Sequence, residues 1–171
     1  MELRHPDGRD DARALVRVHG LAWRAAYRDL LPAAVVDRIP VEAPEQSVTE
    51  WTERVERNRE RFLVADVDGD VRGYARVTWG SETKPFVDAD EAGLKEIYVH
   101  PDHWGEGIGT VLLETGFGLV PDRIETVKLE MLSGNTVGEA FYESRGFERV
   151  DTDEYEIAGE SYPTAIYARS V

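Results

Sequence analysis

The sequence predicts a mixed α/β fold, built on one mainly antiparallel sheet with helices on both of its faces. Two observations carry this prediction. Residues 61–79 are rich in Val and alternate in polarity on either side of Asp68-Gly69-Asp70, as expected of a β-hairpin. Further along, short apolar runs typical of strands alternate with segments of helical periodicity. The 171 residues contain no internal repeat and no Pro/Gly/Ser-rich linker, so we expect a single domain over residues 1–171.

The segment before the hairpin is predicted to be mostly helical. A short strand, MELRH, precedes a helix that starts among residues 7–11, where aspartates offer N-cap positions. Between Pro32 and Pro40, the residues AAVVDRI allow another turn or two of helix. Residues 47–61 place Val48, Trp51 and Val55 on one face and predict an exposed amphipathic helix.

The segment after the hairpin alternates strands and helices. A polar loop at residues 80–90 is followed by a predicted strand at 92–99, a glycine-rich turn and a helix that reaches Phe117. The remaining predicted elements are a strand at 125–132, a helix at 136–145 stopped by Gly146, and two strands at 147–157 and 162–168.

The chain is strongly acidic. It has 34 Asp and Glu residues against 20 Lys and Arg, a net charge of −14 at pH 7. Because the acids are dispersed rather than gathered in a tail, we expect an acidic folded surface. Such a surface is similar to those of proteins from salt-loving organisms, although a mesophilic acidic protein is the alternative. The acidity disfavours a nucleic-acid partner and would steer cationic ligands to the protein, whereas halophily would explain the same charge without any bearing on ligands.

Other features narrow the class of protein further. The absence of cysteine excludes disulfides, thiolate metal sites and a cysteine nucleophile. No apolar run approaches the roughly 18 residues of a membrane span, and the N-terminus is too polar for a secretory signal. We therefore expect a cytoplasmic protein with no membrane partner. Its assembly, whether a monomer or a homodimer, stays open.

The stretch VHPDHWGEGIGTVLL, from Val99 to Leu113, joins a predicted strand to a predicted helix through three glycines. Free backbone N–H groups and the helix dipole favour an anion at such a junction. A P-loop would need a Lys before Thr110, and a dinucleotide fingerprint would need Gly in place of Thr110, so neither motif fits. A tight turn whose glycines serve packing alone is the structural alternative.

This stretch resembles motif A of the GNAT N-acetyltransferase superfamily, which reads V-x-P and then Q/R-x-x-G-x-G/A before a helix with paired Leu. Val99, Pro101, residues 104–109 and Leu112-Leu113 match that pattern. Asn135 and the downstream FYESRGF resemble a second family motif, N-x-x-A-x-x-x-Y-x-x-x-G-F. The segment AWRAAYRDLLP is similar to the W-x-x-x-Y segment of many members. Three positions depart from the family: Trp104 stands at the Q/R position, Glu106 where a basic residue is common, and Gly138 where Ala is usual.

The resemblance implies acetyl-CoA as co-substrate and acetyl transfer to a primary amine of a small molecule, peptide or protein, without a metal. It places the pantetheine arm along Ile97, Tyr98 and Val99, with Asn135 approaching from the neighbouring strand end. The pyrophosphate is then expected on the loop residues Trp104, Gly105, Glu106, Gly107, Ile108, Gly109 and Thr110. A non-catalytic acyl-CoA-binding sensor or interaction module on the same fold is the alternative function.

Two residues are candidates for proton transfer. Tyr142 matches the position from which family members protonate the leaving thiolate and also contact the cofactor, whereas an ordinary half-buried aromatic is the alternative. Glu96 lies inside an apolar strand, where burial would raise the pKa of its carboxyl toward that of a useful base. It could equally pair with Lys95 or with a neighbouring Arg, and Glu91 or a water relay are further alternatives for the base.

The remaining candidate site residues are one pair of aromatic side chains and one pair of histidines. Trp23 and Tyr27, four residues apart on one helix face, are either core residues or contacts to the acceptor. His100 and His103 form H-x-x-H, a spacing more typical of a solvated turn than of a metal site.

Overall fold

The computed structural model describes all 171 residues and confirms the predicted order of strands and helices. The strands are β1 (Glu2–Arg4), β2 (Phe62–Val67), β3 (Asp70–Trp79), β4 (Ala92–Val99), β5 (Thr126–Leu132), β6 (Glu148–Ile157) and β7 (Glu160–Ser170). The helices are α1 (Gly8–Tyr27), α2 (Ala33–Val36), α3 (Glu45–Arg57), α4 (Ile108–Phe117) and α5 (Thr136–Glu143). None of them is long and apolar enough to cross a membrane.

Local signals account for most of the boundaries. The hairpin turns through Asp68 and Gly69, both with positive φ, and Ala158 and Gly159 turn the last hairpin in the same way. The helix α3 ends earlier than predicted, because residues 59–61 tighten into a 3-10 turn before β2.

The seven strands form one sheet in the order β1-β2-β3-β4-β5-β7-β6, antiparallel everywhere except between β4 and β5. Helices α1 and α3 cover one face, where Leu15 and Val55 pack against Val64 and Tyr74. Helices α4 and α5 cover the other face. These two sides are called the α1/α3 face and the α4/α5 face below.

The sheet opens between β4 and β5. Only Ala92 and Gly93 of β4 pair with β5, opposite Val127 and Lys128. The opening between residues 94–99 of β4 and residues 129–132 of β5 is called the β4–β5 gap below.

The register of β4 against β3 shows which backbone groups face this gap. The N–H of His100 donates to the carbonyl of Arg72 at 2.7 Å. Because hydrogen-bonded pairs alternate along an antiparallel ladder, Tyr98 is bonded to Tyr74 whereas Ile97 and Val99 are not bonded to β3. The N–H and C=O groups of Ile97 and Val99 therefore point into the β4–β5 gap.

A β-bulge in β4 determines which face of the sheet each of its side chains occupies. Arg76 of β3 lies opposite Glu96, and Val77 lies opposite Leu94, so Lys95 is an extra residue in β4. As a result Leu94 and Ile97, three positions apart, both pack into the core on the α4/α5 face. Glu96 is left on the α1/α3 face with Arg76.

Candidate active site

The glycine-rich loop ends in a helix N-terminus with free amides. Gly107 precedes α4 with φ +84° and ψ 0°, a conformation that favours glycine, and Gly105 has the same φ. The N–H groups at this end make no hydrogen bond within the chain; they belong to Gly105, Gly107, Ile108, Gly109 and Thr110. Since α4 has ten residues aligned behind them, these donors form an electropositive cradle for an anion.

Gly109 has a packing role as well. A Cβ at this position would lie 3.2 Å from the ring of Phe141, so glycine allows α5 to approach the first turn of α4. The packing alternative for the glycines therefore holds for Gly109, whereas a Cβ on Gly105 or Gly107 would meet nothing within 4 Å.

The two unusual side chains of the loop both have partners. The indole Nε1–H of Trp104 donates to the carbonyl of Val99 at 2.7 Å, and the residue stays 45% exposed. Glu106 Oε2 lies 2.8 Å from Nδ1 of His103. Trp104 thus fastens the loop to the end of β4, and the carboxylate of Glu106 is held by the imidazole of His103.

The imidazoles of His100 and His103 lie 5.9 Å apart between ring centroids. Nδ1 of His100 accepts a hydrogen bond from the N–H of Asp102 at 3.2 Å, and burial lowers the pKa of His100. The structure contains no group of three or more His, Cys, Asp or Glu side chains placed to hold a metal ion.

Arg145, which is not among the site residues predicted from the sequence, lies beside the cradle. Its Nε–H donates to Oγ1 of Thr110 at 3.1 Å, and its Nη1–H donates to the carbonyl of Phe141 at 2.8 Å. The guanidinium covers the Phe141 ring at 3.8 Å and forms no ion pair with a carboxylate. No local pattern marks this residue, because its contact joins two positions 35 residues apart.

Gly138 explains the orientation of Asn135. Oδ1 of Asn135 accepts a hydrogen bond from the N–H of Gly138 at 3.0 Å and caps α5. A Cβ on Gly138 would lie 2.7 Å from Nδ2 of Asn135, so this arrangement requires glycine. The side-chain oxygen Oδ1 of Asn135 is thus occupied by a hydrogen bond within its own helix.

Three tyrosines lie near one another around the β4–β5 gap. Tyr142 packs against the core of the α4/α5 face, with its ring centroid 5.5 Å from that of Phe147. Burial raises the pKa of Tyr142, and the nearby Tyr27 raises it further. Burial also raises the pKa of Tyr98, with Tyr27, Glu96 and Tyr142 adding to the shift. Residues from α1, β4 and α5 therefore meet here, with their phenols protonated at neutral pH.

Glu96 is half-buried, and one of its carboxylate oxygens is buried without a partner. Its Oε2 has no hydrogen bond, and the residue forms no ion pair with Lys95 or Arg76, so the pairing alternative is wrong. Burial raises the pKa of Glu96, although the charges of Arg76, Arg54, Lys95 and Lys84 oppose the shift. The hydroxyl of Tyr74 is likewise buried and unpartnered; burial raises the pKa of Tyr74, and the charge of Glu96 raises it further.

Glu91, the other carboxylate considered as a base, is an anchor of the β3–β4 loop. Its Oε2 lies 2.7 Å from Nζ of Lys128 and accepts the N–H of Asp88 at 2.9 Å. With these two partners, Glu91 is poorly suited to accept another proton.

Trp23 and Tyr27 contact each other edge to face, with ring centroids 4.7 Å apart. They pack on Leu31, Val36 and Leu132 at the end of β5. Burial raises the pKa of Tyr27, whereas the nearby Asn135 side chain lowers it. The pair is thus partly core and partly a border of the gap.

The family of the chain follows from its sequence as well as its fold. The sequence profile of the acetyltransferase (GNAT) family matches residues 15–147. The chain belongs to this family. No curated protein matches its sequence at a significant level.

Solved acetyltransferases have the same fold. A ribosomal-protein-alanine N-acetyltransferase from Brucella melitensis shares 21% identity over the whole of both chains, with a TM-score of 0.73. The PaiA N-acetyltransferase from Thermoplasma acidophilum, solved in complex with coenzyme A, shares 22% identity over the whole of both chains, also at 0.73. Naa20 from Chaetomium thermophilum, in complex with a bisubstrate analogue, shares 16% identity over 100% of this chain and 87% of its own, at 0.71.

Proposed function

We propose that this chain is an acetyl-CoA-dependent N-acetyltransferase acting on a primary amine. The β4–β5 gap carries the proposal. The backbone groups of Ile97 and the N–H of Val99, which have no partner in β3, line one side of it, and the free amides of α4 follow directly in the chain. Backbone donors and acceptors suit an arm that contains amides, and a helix N-terminus suits a pyrophosphate. The coenzyme A complex of the Thermoplasma relative supports this choice of ligand.

The loop from Trp104 to Thr110 would hold the phosphates mainly through its backbone. Gly105, Gly107 and Ile108 contribute amides, and Trp104 keeps the loop attached to β4. Arg145 adds the positive charge that the loop itself lacks. In this proposal Tyr98 pairs with Tyr74 of β3 and so holds Ile97 and Val99 at the edge of the gap. Asn135 caps the start of α5 beside the cofactor arm.

Acetyl-CoA supplies an activated acetyl group and a thiol leaving group. Glu96 is the base that takes a proton from the acceptor ammonium, because its carboxylate is unpaired, has one buried oxygen and has a raised pKa. Tyr142 holds a proton on its hydroxyl for the departing sulfur. Its raised pKa keeps that proton in place at neutral pH. Trp23 and Tyr27 border the acceptor side of the gap.

A thiol-release assay with acetyl-CoA and a panel of primary amines tests this function. Tyr142→Phe is expected to lower kcat by roughly a hundredfold or more while CoA affinity, measured by calorimetry, is retained. Tyr167→Phe, which removes a hydroxyl from the core of the same face, is the matched control and should leave kcat unchanged.

Two results would contradict parts of the proposal. Undiminished turnover in Tyr142→Phe would remove its role as the acid. Tight CoA binding without turnover on any amine would instead favour the sensor or interaction module.

A further inference from the structure

The three lysines of this chain lie together. Lys84, Lys95 and Lys128 are the only lysines among its 20 basic residues. All three line a small cavity of about 20 Å³ beside the start of the β4–β5 gap, together with Glu130. In a chain with a net charge of −14, this is a notable concentration of ammonium groups.

Two of the three lysines are neutralised by ion pairs. Nζ of Lys84 lies 2.6 Å from Oε1 of Glu130, whose other oxygen accepts the Thr164 hydroxyl at 2.8 Å. Nζ of Lys128 lies 2.7 Å from Oε2 of Glu91. These pairs fasten the β3–β4 loop to β5. Lys95 forms no ion pair and is exposed.

The bulge in β4 brings Lys95 to the face of the sheet that carries Glu96. In a bulge, two consecutive residues oppose a single residue of the partner strand, here Arg76. The electrostatic surroundings of Lys95 agree with this placement, since Lys84, Arg76 and Arg54 all lower its pKa. Arg76 lies on the α1/α3 face of the sheet, and Arg54 belongs to helix α3, which covers that face. Desolvation is the largest cause of that shift.

An unpaired cation and an unpaired carboxylate therefore occupy successive positions at the mouth of the gap. Their charges are complementary to a molecule that carries an ammonium and a carboxylate a few atoms apart. A polyamine would meet the positive charge of Lys95, and the amine of a peptide N-terminus has no carboxylate beside it.

We propose that the acceptor is a free amino acid, whose amine is presented to Glu96 while its carboxylate binds Lys95. This inference rests on the proposed acetyltransferase function. It replaces the cationic amine suggested by the net charge, because the local arrangement of Lys95 and Glu96 outweighs a remote field that salt screens.

The test compares each amino acid with its own amide and with its decarboxylated amine as acceptors in the thiol-release assay. The free amino acid is expected to have a kcat/KM about tenfold or more above the other two, the effect of one charge-assisted contact. Lys95→Gln should raise KM for the amino acid about tenfold and leave KM for the amide unchanged. Lys95→Glu should reverse the preference toward the decarboxylated amine. Arg57→Gln removes a charge from the exposed end of α3 and is the matched control.

Each other outcome has a definite meaning. Equal rates for the three acceptors, or equal effects of Lys95→Gln on all of them, would overturn the inference and leave the proposed function intact. Mass spectrometry after incubation with acetyl-CoA alone gives a second readout. Acetylated Lys95 would show that this amine is itself an acceptor and would also overturn the inference. No thiol release with any acceptor would contradict the proposed function as well.

Discussion

Replacing Glu96 with Gln is expected to stabilise the protein while it removes activity. The wild-type carboxylate has a buried oxygen with no hydrogen bond, which costs roughly 1–3 kcal/mol for a polar group and more when the group is charged. The amide that replaces it is neutral but still polar, so about 1 kcal/mol of that cost remains. We therefore expect Glu96→Gln to gain about 1 kcal/mol at pH 8. For a chain of this size, this corresponds to roughly 2–4 °C in Tm.

The gain should depend on pH in a defined direction. Burial raises the pKa of Glu96 above its ordinary value of 4.5, so the folded state keeps its proton to a higher pH than the unfolded state. The wild type then loses stability as the pH rises from about 4.5 through the raised pKa. Because Gln does not titrate, the difference between variant and wild type should be small near pH 4.5 and should grow to a plateau.

Urea denaturation of both proteins between pH 4.5 and 8, with thiol release measured in parallel, checks this prediction. Activity is expected to fall roughly 10²- to 10⁴-fold, the usual contribution of a general base. Glu130→Gln is the matched control, and it should destabilise the protein, because Glu130 is paired with Lys84 and Thr164. The reasoning is refuted if Glu96→Gln is less stable than the wild type at pH 8, or if the difference does not change with pH.

Four further predictions concern other sites. Burial, aided by Arg54, lowers the pKa of His19 to about 4, so stability should fall as the pH drops from about 6.5 to about 4. In urea denaturation His19→Gln should remove up to about 3 kcal/mol of that loss. If the variant loses as much free energy of unfolding between pH 6.5 and 4 as the wild type, this prediction is contradicted. Gly138→Ala should change Tm little, because the helix propensity gained is offset by the Asn135 cap lost. In an Asn135→Ala background the same substitution should add about 1 kcal/mol. Arg145→Gln should weaken CoA binding about five- to tenfold by calorimetry at low salt, with Arg149→Gln as the control. Wild-type affinity for CoA should hold or rise toward 1 M salt, where the Debye length is roughly 3 Å and the repulsion of the acidic surface is screened. A steep fall would show that ion pairs dominate binding.

Much of the framework could be predicted because its determinants are local. The strand β4 was predicted with the bounds Ala92–Val99, since alternation of apolar side chains is a property of contiguous residues. Gly146 lies just beyond α5 as expected, and its φ of +85° favours glycine, although α5 ends at Glu143 rather than at the predicted residue 145. The family motifs depend on the same local requirements. The position of the cradle at the start of α4 could therefore be read from a short stretch of sequence.

What the candidate site contains was decided by contacts between distant parts of the chain. The sequence left Glu96 between a base and an ion-pair partner, and only the tertiary structure shows that its carboxylate is unpaired. The bulge at Lys95, which sets this cation beside Glu96, depends on how β4 aligns with β3. Arg145 reaches Thr110 only because α5 packs on α4 through Gly109. Backbone geometry follows from neighbours in the sequence, whereas burial and charge pairing depend on which segments meet in space, and the latter determine the chemistry of this site.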